Sequence, residues 1–579
     1  MSAQAAVARA LFSAFADSGV EHVVLSPGSR STPFVLAAAQ EPRLRLHDHV
    51  DERVAAFFCL GIARVTGRPA LMLTTSGSAP AHALPAVLEA ERAGLPLIVV
   101  SADRPARLQE CGANQTVDQR DLFGRHVRLS LSLPEARVAQ SEGDVQRMMR
   151  VVARQAAQLV AASLRDGAGP VHLNAPADKS LEPALGVVLP EPPVAPRLFL
   201  AQASPTDTAL DALASSLAGA RRALLLAGPG TQPAEPLAAP VAQICAAFGL
   251  TLVTESTSGL FFAPELGDTP RLSHADALYR DASVRRTLAP DCILALNQFP
   301  VSQGIAELLR AGKTRHLAIA RHGMPDAEAS LELLIEADPA AVLRGLLERA
   351  PAVLARDEAF HRALRVRDAV LTKRAESSLA EVGETLTPQG VLRDVAACTR
   401  GLALGLGNGL SVRRADDWLL HGSDVSCVLH QRGLSGIDGG VSGAAGSALA
   451  LGRPMAFVLG DVAFRHDLGG LAAAARLATP LVLVVVDDGG GRIFDELPIA
   501  SRPDLAHALT HFTTPGPSRA EQAAALFELP FAAPSTRTEL RAALARAMDH
   551  AGASLILAAV DPALASRLDH ELRASTEAS

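Results

Sequence analysis

Two apolar runs near the C-terminus constrain the fold of this chain more than any other feature. Met455–Gly460 (MAFVLG) meets Asp461, and residues 481–486 (LVLVVV) meet Asp487, Asp488 and the glycines Gly489, Gly490 and Gly491. A helix-length stretch separates the two acidic strand ends, which is the layout of a βαβ unit. The carboxylates should then emerge side by side at the C-terminal edge of a parallel sheet, where such sheets bind ligands. Hard oxygen ligands at that edge suit Mg²⁺, which shares its octahedron with phosphate oxygens. The pattern predicts a site for a metal-bridged diphosphate.

At 579 residues the chain exceeds one core, and two to four domains are expected. Aromatics make up only 3%, with one Trp and one Tyr, so cores must come from Ala, Leu and Val, as in helices packed on parallel strands. A net charge of −7 argues against a nucleic-acid partner, which would need a basic face. Cys59, Cys111, Cys245, Cys292, Cys398 and Cys427 form no CxxC pair and read as reduced thiols. The N-terminus lacks a signal layout and reads as an amphipathic helix. No apolar run approaches the ~18–20 residues that span a bilayer. A cytoplasmic protein without a membrane partner is expected.

Strand-like runs alternate with Ala/Leu-rich helical stretches throughout, the doubly wound pattern. HVVLS, PALMLTT, PLIVVSA and GPVHLNA punctuate residues 1–188. A Pro-rich linker follows at 189–196, LPEPPVAP. RALLLAGPG, LTLVTES, CILALNQ and RHLAIA mark a second unit over 197–355, and charged helical sequence at 356–380 leads into a third unit, 356–579. That unit carries LALGLGNG, PMAFVLGD, PLVLVVVDD and SLILAAVD. The expected fold is α/β, three doubly wound parallel-sheet domains.

Four further segments carry chemistry. In LSPGSRSTP (25–33), Pro27 and Gly28 force a turn after a strand. Ser29, Arg30, Ser31 and Thr32 then offer donors to an anion, although such turns are often plain punctuation. In HDHVDER, His47 and His49 alternate with Asp48 and Asp51 without an evident third metal ligand. Glu52 there precedes an apolar run and reads as an acid in the first turn of a helix. In ADRPARLQECGANQTVDQ, Arg104, Arg107, Asn114, Gln115 and Gln119 crowd a loop after a strand; it is either a solvated loop or a carboxylate-recognising one. Finally, GLGNGLSVRRADDW and QRGLSGIDGGVSGAAGSALA are Gly-rich turns leading into small-residue helices, with Arg413 and Arg432 as fixed cations.

Together these segments resemble the thiamine-diphosphate enzymes. SPGSRSTP, HVDER, TSGSA, ADRP…CGANQ, RGLSGIDG and GGRIFDELP narrow the resemblance to the 2-succinyl-5-enolpyruvyl-6-hydroxy-3-cyclohexene-1-carboxylate synthases of menaquinone biosynthesis. The central NQFPVSQG matches loosely. The resemblance implies that Glu52 hydrogen-bonds N1′ of the aminopyrimidine and activates the cofactor. It implies that Asp461 and Asp488 ligate Mg²⁺ (or Mn²⁺) by side chain and Gly490 by its carbonyl. It places Asn408, Gly409, Ser435, Gly436, Ile437, Asp438, Gly460, Val462, Ile493 and Phe494 against the cofactor, Ile437 as its prop. Ser29, Arg30, Arg104 and Gln115 would bind isochorismate, and Arg413 and Arg432 the carboxylates of 2-oxoglutarate. A homodimer or homotetramer is implied, with each cofactor shared between two chains.

The chain departs from the family pattern at three points. Asp488 stands where Asn is usual, Gln303 where a lysine is common, and Gly409 where a serine is common. These touch the surroundings of the diphosphate and substrate, not Glu52. Two other readings stay open: an acetolactate-synthase-like carboligase acting on another 2-oxo acid, and a non-catalytic homologue.

Overall fold

The computed structural model describes residues 3–136, 139, 141–230, 237–352, 356–399, 401–421 and 425–575. Its strands form three six-stranded sheets, and every strand pairing within them is parallel. The first sheet holds β1 (His22–Leu25), β2 (Arg45–Asp48), β3 (Ala70–Thr74), β4 (Leu97–Asp103), β5 (Ser130–Ser132) and β6 (Pro170–Pro176), in the order β2-β1-β3-β4-β6-β5. The second holds β7 (Ala223–Ala227), β8 (Thr251–Thr254), β9 (Arg271–Leu272), β10 (Cys292–Leu296), β11 (Arg315–Ala320) and β12 (Leu331–Glu336), ordered β12-β11-β10-β7-β8-β9. The third holds β13 (Leu402–Leu406), β14 (Val425–His430), β15 (Met455–Gly460), β16 (Leu481–Asp487), β17 (Phe531–Ala532) and β18 (Ala553–Ala559), ordered β14-β13-β15-β16-β18-β17.

Each sheet winds outward in both directions from its first strand. The order reverses between β1 and β3, between β7 and β10, and between β13 and β15. Crevices form at such switch points because the loops leaving the two strands diverge to opposite faces. The inner strands are apolar on both faces and almost wholly buried, as helices on both sides require.

The described residues group into two compact units. One comprises residues 1–201, 431–452 and 467–477; the other comprises 202–430, 453–466 and 478–579. The first sheet lies in the former, the second and third sheets in the latter. Within the larger unit Leu224 of the second sheet belongs to one core with the helical residues Tyr279, Leu371, Trp418 and Leu568. His274 Nδ1 lies 2.7 Å from the Asp417 carbonyl, and His421 lies 3.1 Å from the carbonyl of Phe261 and 3.0 Å from that of Leu272.

Residues 189–196 carry no helix or strand, and the charged stretch forms the helix Glu358–Val382. The boundary expected at 355 falls on residues 353–355, outside the described residues. The N-terminal helix, Ala3–Asp17, is more enclosed than an amphipathic helix: Ala5 to Ala8 and Ala10 to Phe15 are all buried, partly against the helix Glu142–Leu164. No cysteine forms a disulfide. Among the described residues no helix is long and apolar enough to cross a membrane.

Candidate active site

In the smaller unit Ser29, Arg30 and Arg104, three of the residues expected to bind substrate, lie in the segments that follow β1 and β4. Gly28 is required there by space: a Cβ on it would lie 2.2 Å from the Thr75 Cβ, so the turns after β1 and β3 touch backbone to side chain. Ser29–Ser31 form one 3₁₀ turn, and the helix Thr32–Ala39 follows with Pro33 in its first turn. Ser29 is exposed, whereas Arg30 is turned inward and its Nη1 donates to the Ala177 carbonyl at 2.7 Å. Arg104, at the end of β4, is also buried; it donates to the Ser76 hydroxyl, and its other amino group reaches Asn114 Oδ1 at 3.4 Å and Gln115 Oε1 at 3.5 Å. Burial holds the Arg30 guanidinium below its usual range, and Arg104 pushes it the same way while Asp178 and Asp103 oppose. Two half-desolvated guanidiniums therefore sit close to each other at one sheet edge, an arrangement that favours a multiply charged anion between them.

The same loop contains two residues, Gln119 and Arg107, that crowd it in the sequence and are engaged with the protein itself. Gln119 is fully buried, accepting from Gly77 N at 2.9 Å and donating to Ala102 O at 3.2 Å and Asn174 Oδ1 at 3.1 Å. It holds loops together. Arg107 is paired with Asp178 at 2.7 Å. Asp103 orients the loop from below, accepting from Arg104 N at 2.7 Å, Gln109 Nε2 at 3.1 Å and Asn174 Nδ2 at 2.9 Å.

Glu52 is the first residue of the helix Glu52–Thr66, with Asp51 as N-cap accepting from the backbone N–H groups of Arg53 and Val54. This helix packs on Gly440–Leu451 almost backbone to backbone. A Cβ on Gly61 would lie 2.1 Å from the Gly443 carbonyl oxygen, and one on Gly446 would lie 2.1 Å from that of Phe58. The segment Gln431–Asp438, which contains Arg432, Ser435, Gly436, Ile437 and Asp438, leads into that second helix, and Ser435 adopts φ 63°. Buried Glu89 anchors the segment, accepting from Gly433 N at 2.9 Å and Leu434 N at 2.7 Å. Glu89 also faces Arg64 at 3.6 Å, both side chains being buried. A cavity of about 190 Å³ lies between Phe57, Leu88, Glu89, Leu434, Gly436 and Asp438. His47 lies 3.0 Å from His22, and His49 packs on Phe58 with ring centroids 4.6 Å apart.

In the larger unit, the turns after β13 and β15 flank the switch point of the third sheet. Asn408 is buried there, and Gly409 takes φ 102° ahead of the helix Leu410–Trp418, a conformation that suits glycine. Arg413 folds back on that turn, donating to the Gly409 carbonyl at 2.9 Å. Gly460 pairs with Val486 across β15 and β16, which brings Asp461 and the Asp487–Asp488 corner level at the sheet edge. Burial pushes the Asp461 carboxyl above its usual range, Asp487 adds to this, and Arg465 opposes it. Asp488 is pushed up to about 6 by burial, against the nearby Arg414 cation and with Asp461 adding to the rise. Gly490 takes φ 136°, and a Cβ on it would lie 2.5 Å from the Thr513 carbonyl oxygen. Val462 is the second residue of the short helix Asp461–His466, while Ile493 and Phe494 lie half-buried in the turn after Gly491, where Phe494 meets Phe512 at 5.8 Å. Gln303 starts the helix Gln303–Arg310 and is exposed.

The chemistry of this corner fits a hard divalent ion. The buried Asp461 Oδ2 accepts no hydrogen bond, and its nearest cation, Arg465, stands 3.7 Å away. Such an oxygen is costly unless something binds it. No cluster of three or more His, Cys, Asp or Glu side chains suited to an ion exists among the described residues. Two carboxylates would leave the remaining positions to carbonyl, phosphate and water oxygens, the donor set Mg²⁺ prefers.

A fold of three parallel doubly wound sheets with this acidic corner is that of a thiamine pyrophosphate enzyme. The N-terminal TPP binding domain of those enzymes matches residues 5–122, and their C-terminal TPP binding domain matches residues 419–558. A thiamin diphosphate-dependent enzyme structure from Mycobacterium smegmatis superposes with a TM-score of 0.71 over 96% of this chain and 99% of that one, at 18% identity, a likeness of fold. The chain is 38% identical to a 2-succinyl-5-enolpyruvyl-6-hydroxy-3-cyclohexene-1-carboxylate synthase of Sorangium cellulosum, covering 95% of this chain and 91% of the relative. It is 35% identical to the synthase of Chlorobaculum tepidum (90% and 89% covered) and 34% identical to that of Geobacillus kaustophilus (88% and 86%). The chain belongs to the 2-succinyl-5-enolpyruvyl-6-hydroxy-3-cyclohexene-1-carboxylate synthase family.

Proposed function

We propose that the protein condenses 2-oxoglutarate with isochorismate, with loss of CO₂, using thiamine diphosphate and Mg²⁺ or Mn²⁺. The observation that carries the cofactor assignment is the buried, hydrogen-bond-free Asp461 oxygen, level with the Asp487–Asp488 corner at the ends of β15 and β16. Asp461, Asp488 and the Gly490 carbonyl would hold the ion. When bound, the cofactor supplies the nucleophilic carbon and the electron sink that decarboxylation needs. Glu52, at the head of its helix, moves a proton at the pyrimidine nitrogen, and Ile437 supports the ring system. The Gly409 turn, with Asn408 before it, admits the diphosphate close to backbone.

The arginines account for the substrates. Both are multiply anionic, and planar guanidiniums already desolvated and fixed by the protein bind carboxylates with little further ordering. Arg30 and Arg104, with Gln115 and Ser29, receive the acceptor; Arg413 and Arg432 hold the donor. A small apolar 2-oxo acid would not need this cluster. Each cofactor is shared between two chains of a homodimer or homotetramer, in a cytoplasmic enzyme with domains at 1–188, 197–355 and 356–579. Sedimentation of an active monomer would refute the shared site.

The deciding assay supplies 2-oxoglutarate and isochorismate together, or pyruvate alone, to the protein loaded with thiamine diphosphate and Mg²⁺. CO₂ release that requires 2-oxoglutarate, with product formation requiring isochorismate, is expected. Turnover of pyruvate only would sink the reading.

A further inference from the structure

The acidic corner of the third sheet has Asp488 where Asn is usual in the family, and the fold places a buried cation against that carboxylate. Arg414, in the helix Leu410–Trp418, is 5% exposed, and its Nη1 lies 3.9 Å from Asp488 Oδ2. Its Nε donates to Asp569 Oδ2 at 2.9 Å. Asp569, on the C-terminal helix Pro562–Arg573, also accepts from Trp418 Nε1 at 2.9 Å and Gln389 Nε2 at 2.8 Å. That carboxylate is served by three donors from two other helices, so it is rigidly placed and fixes the guanidinium in turn. Nη1 of the same guanidinium makes the 3.9 Å approach to Asp488.

We propose that Arg414 is a positioning residue that offsets the Asp488 charge and holds this carboxylate for the divalent ion, so that residues 414 and 488 act as one unit. The inference rests on the metal reading above and names the group that makes an aspartate workable at this position. A buried ion pair has a diagnostic asymmetry: removing one partner leaves an uncompensated charge and is strongly destabilising, whereas replacing both by neutral groups is far milder. Arg414 also braces Asp569, and loss of that role alone would not depend on what stands at position 488.

The test is a double-mutant cycle of Arg414→Met and Asp488→Asn, read in two ways. The first readout is the unfolding midpoint of the cofactor-free protein. It can be followed by the fluorescence of Trp418, the sole tryptophan, which touches the same network. The second is thiamine diphosphate uptake at saturating Mg²⁺ by calorimetry. Arg414→Met should lower the midpoint, and the double variant should recover at least half of that loss, whereas Asp488→Asn alone, which leaves Arg414 paired with Asp569, should not lower it. Arg414→Met should weaken uptake at least tenfold, and adding Asp488→Asn should restore it to within threefold. Arg414→Gln, which keeps a donor for Asp569, serves in the same cycle if Arg414→Met does not fold. Additive losses in both readouts would overturn the inference. Unchanged divalent-dependent uptake in Asp461→Asn would overturn the metal reading instead, and the two failures are read from different variants.

Discussion

Glu52 and Glu89 show how differently two acids on neighbouring helices are used. Glu52 is half-exposed at a helix start, and the charge it carries is its function under the proposed chemistry. Glu52→Gln should bind thiamine diphosphate within threefold of the wild type by calorimetry yet lose ~10²–10⁴-fold in CO₂ release, the range for a lost acid–base group. Wild-type turnover in that variant would refute the role. Glu89 is buried between Arg64 and two backbone N–H groups, so Glu89→Ala strands three polar partners at once. A loss of about 3–5 kcal/mol in denaturant unfolding is expected, and a change below about 1 kcal/mol would show that solvent reaches the site. The sequence exposes the first residue and hides the second. Glu52 announces itself by its place before an apolar helix, while Glu89 looks like any acid on an Ala-rich helix until a loop over 340 residues later folds onto it. Arg413 and Arg414 are adjacent letters with equal claims, and only the packing of Asp569 separates them.

At the scale of elements, legibility follows position in the sheet. The four inner strands of each sheet stand out as apolar runs, because both faces are covered by helices. The edge strands β2, β5, β9, β12, β14 and β17 do not. β2, β5 and β17 lack a single fully buried residue, and β12 mixes Glu332 and Glu336 with its leucines. An edge strand is specified by its neighbour's hydrogen bonds more than by its own hydropathy. Helix contacts are equally silent in the sequence. Gly61 in VAAFFCLGIA reads as a weak point in a helix, but it is the place where a second helix touches the backbone. Gly61→Ala should cost about 3 kcal/mol, the upper range for overpacking. Gly143→Ala, in the helix Glu142–Leu164, where the new Cβ meets only Ser141 Oγ at 3.8 Å, should be neutral or gain about 0.4–1 kcal/mol. Equal effects at the two positions, measured by chemical denaturation, would contradict the close approach.

For the whole molecule, buried titrating groups set the response to acid, and the two kinds oppose each other. Burial lowers His47, His49, His172, His361 and His421 to about 4. Burial pushes Asp488 up to about 6 and Asp417 up to about 7, the latter against its partner Arg573. Between pH 6.5 and 5 the unfolded chain protonates its histidines while these five rings stay neutral in the folded state, so acid favours unfolding. Over the same interval the two carboxylates take up protons in the folded state before they would in the unfolded one, which favours folding. His22, His274 and His316 are lowered as well, and Glu89, Asp368 and Asp461 are raised. The histidines still outnumber the carboxylates, so stability should fall as pH drops through that window, by at least one proton's worth, about 1.4 kcal/mol per pH unit. The window lies above the usual carboxylate range, so acids held low by ion pairs, such as Glu41 beside Arg43, do not yet contribute. Urea midpoints at pH 7, 6.5, 6, 5.5 and 5 on the cofactor-free protein measure the slope. His361→Gln, which keeps a partner for Thr251 at the 2.8 Å contact, should flatten it by close to one proton. A midpoint that rises on acidification would mean that the buried carboxylates, and not the rings, control folding of this enzyme.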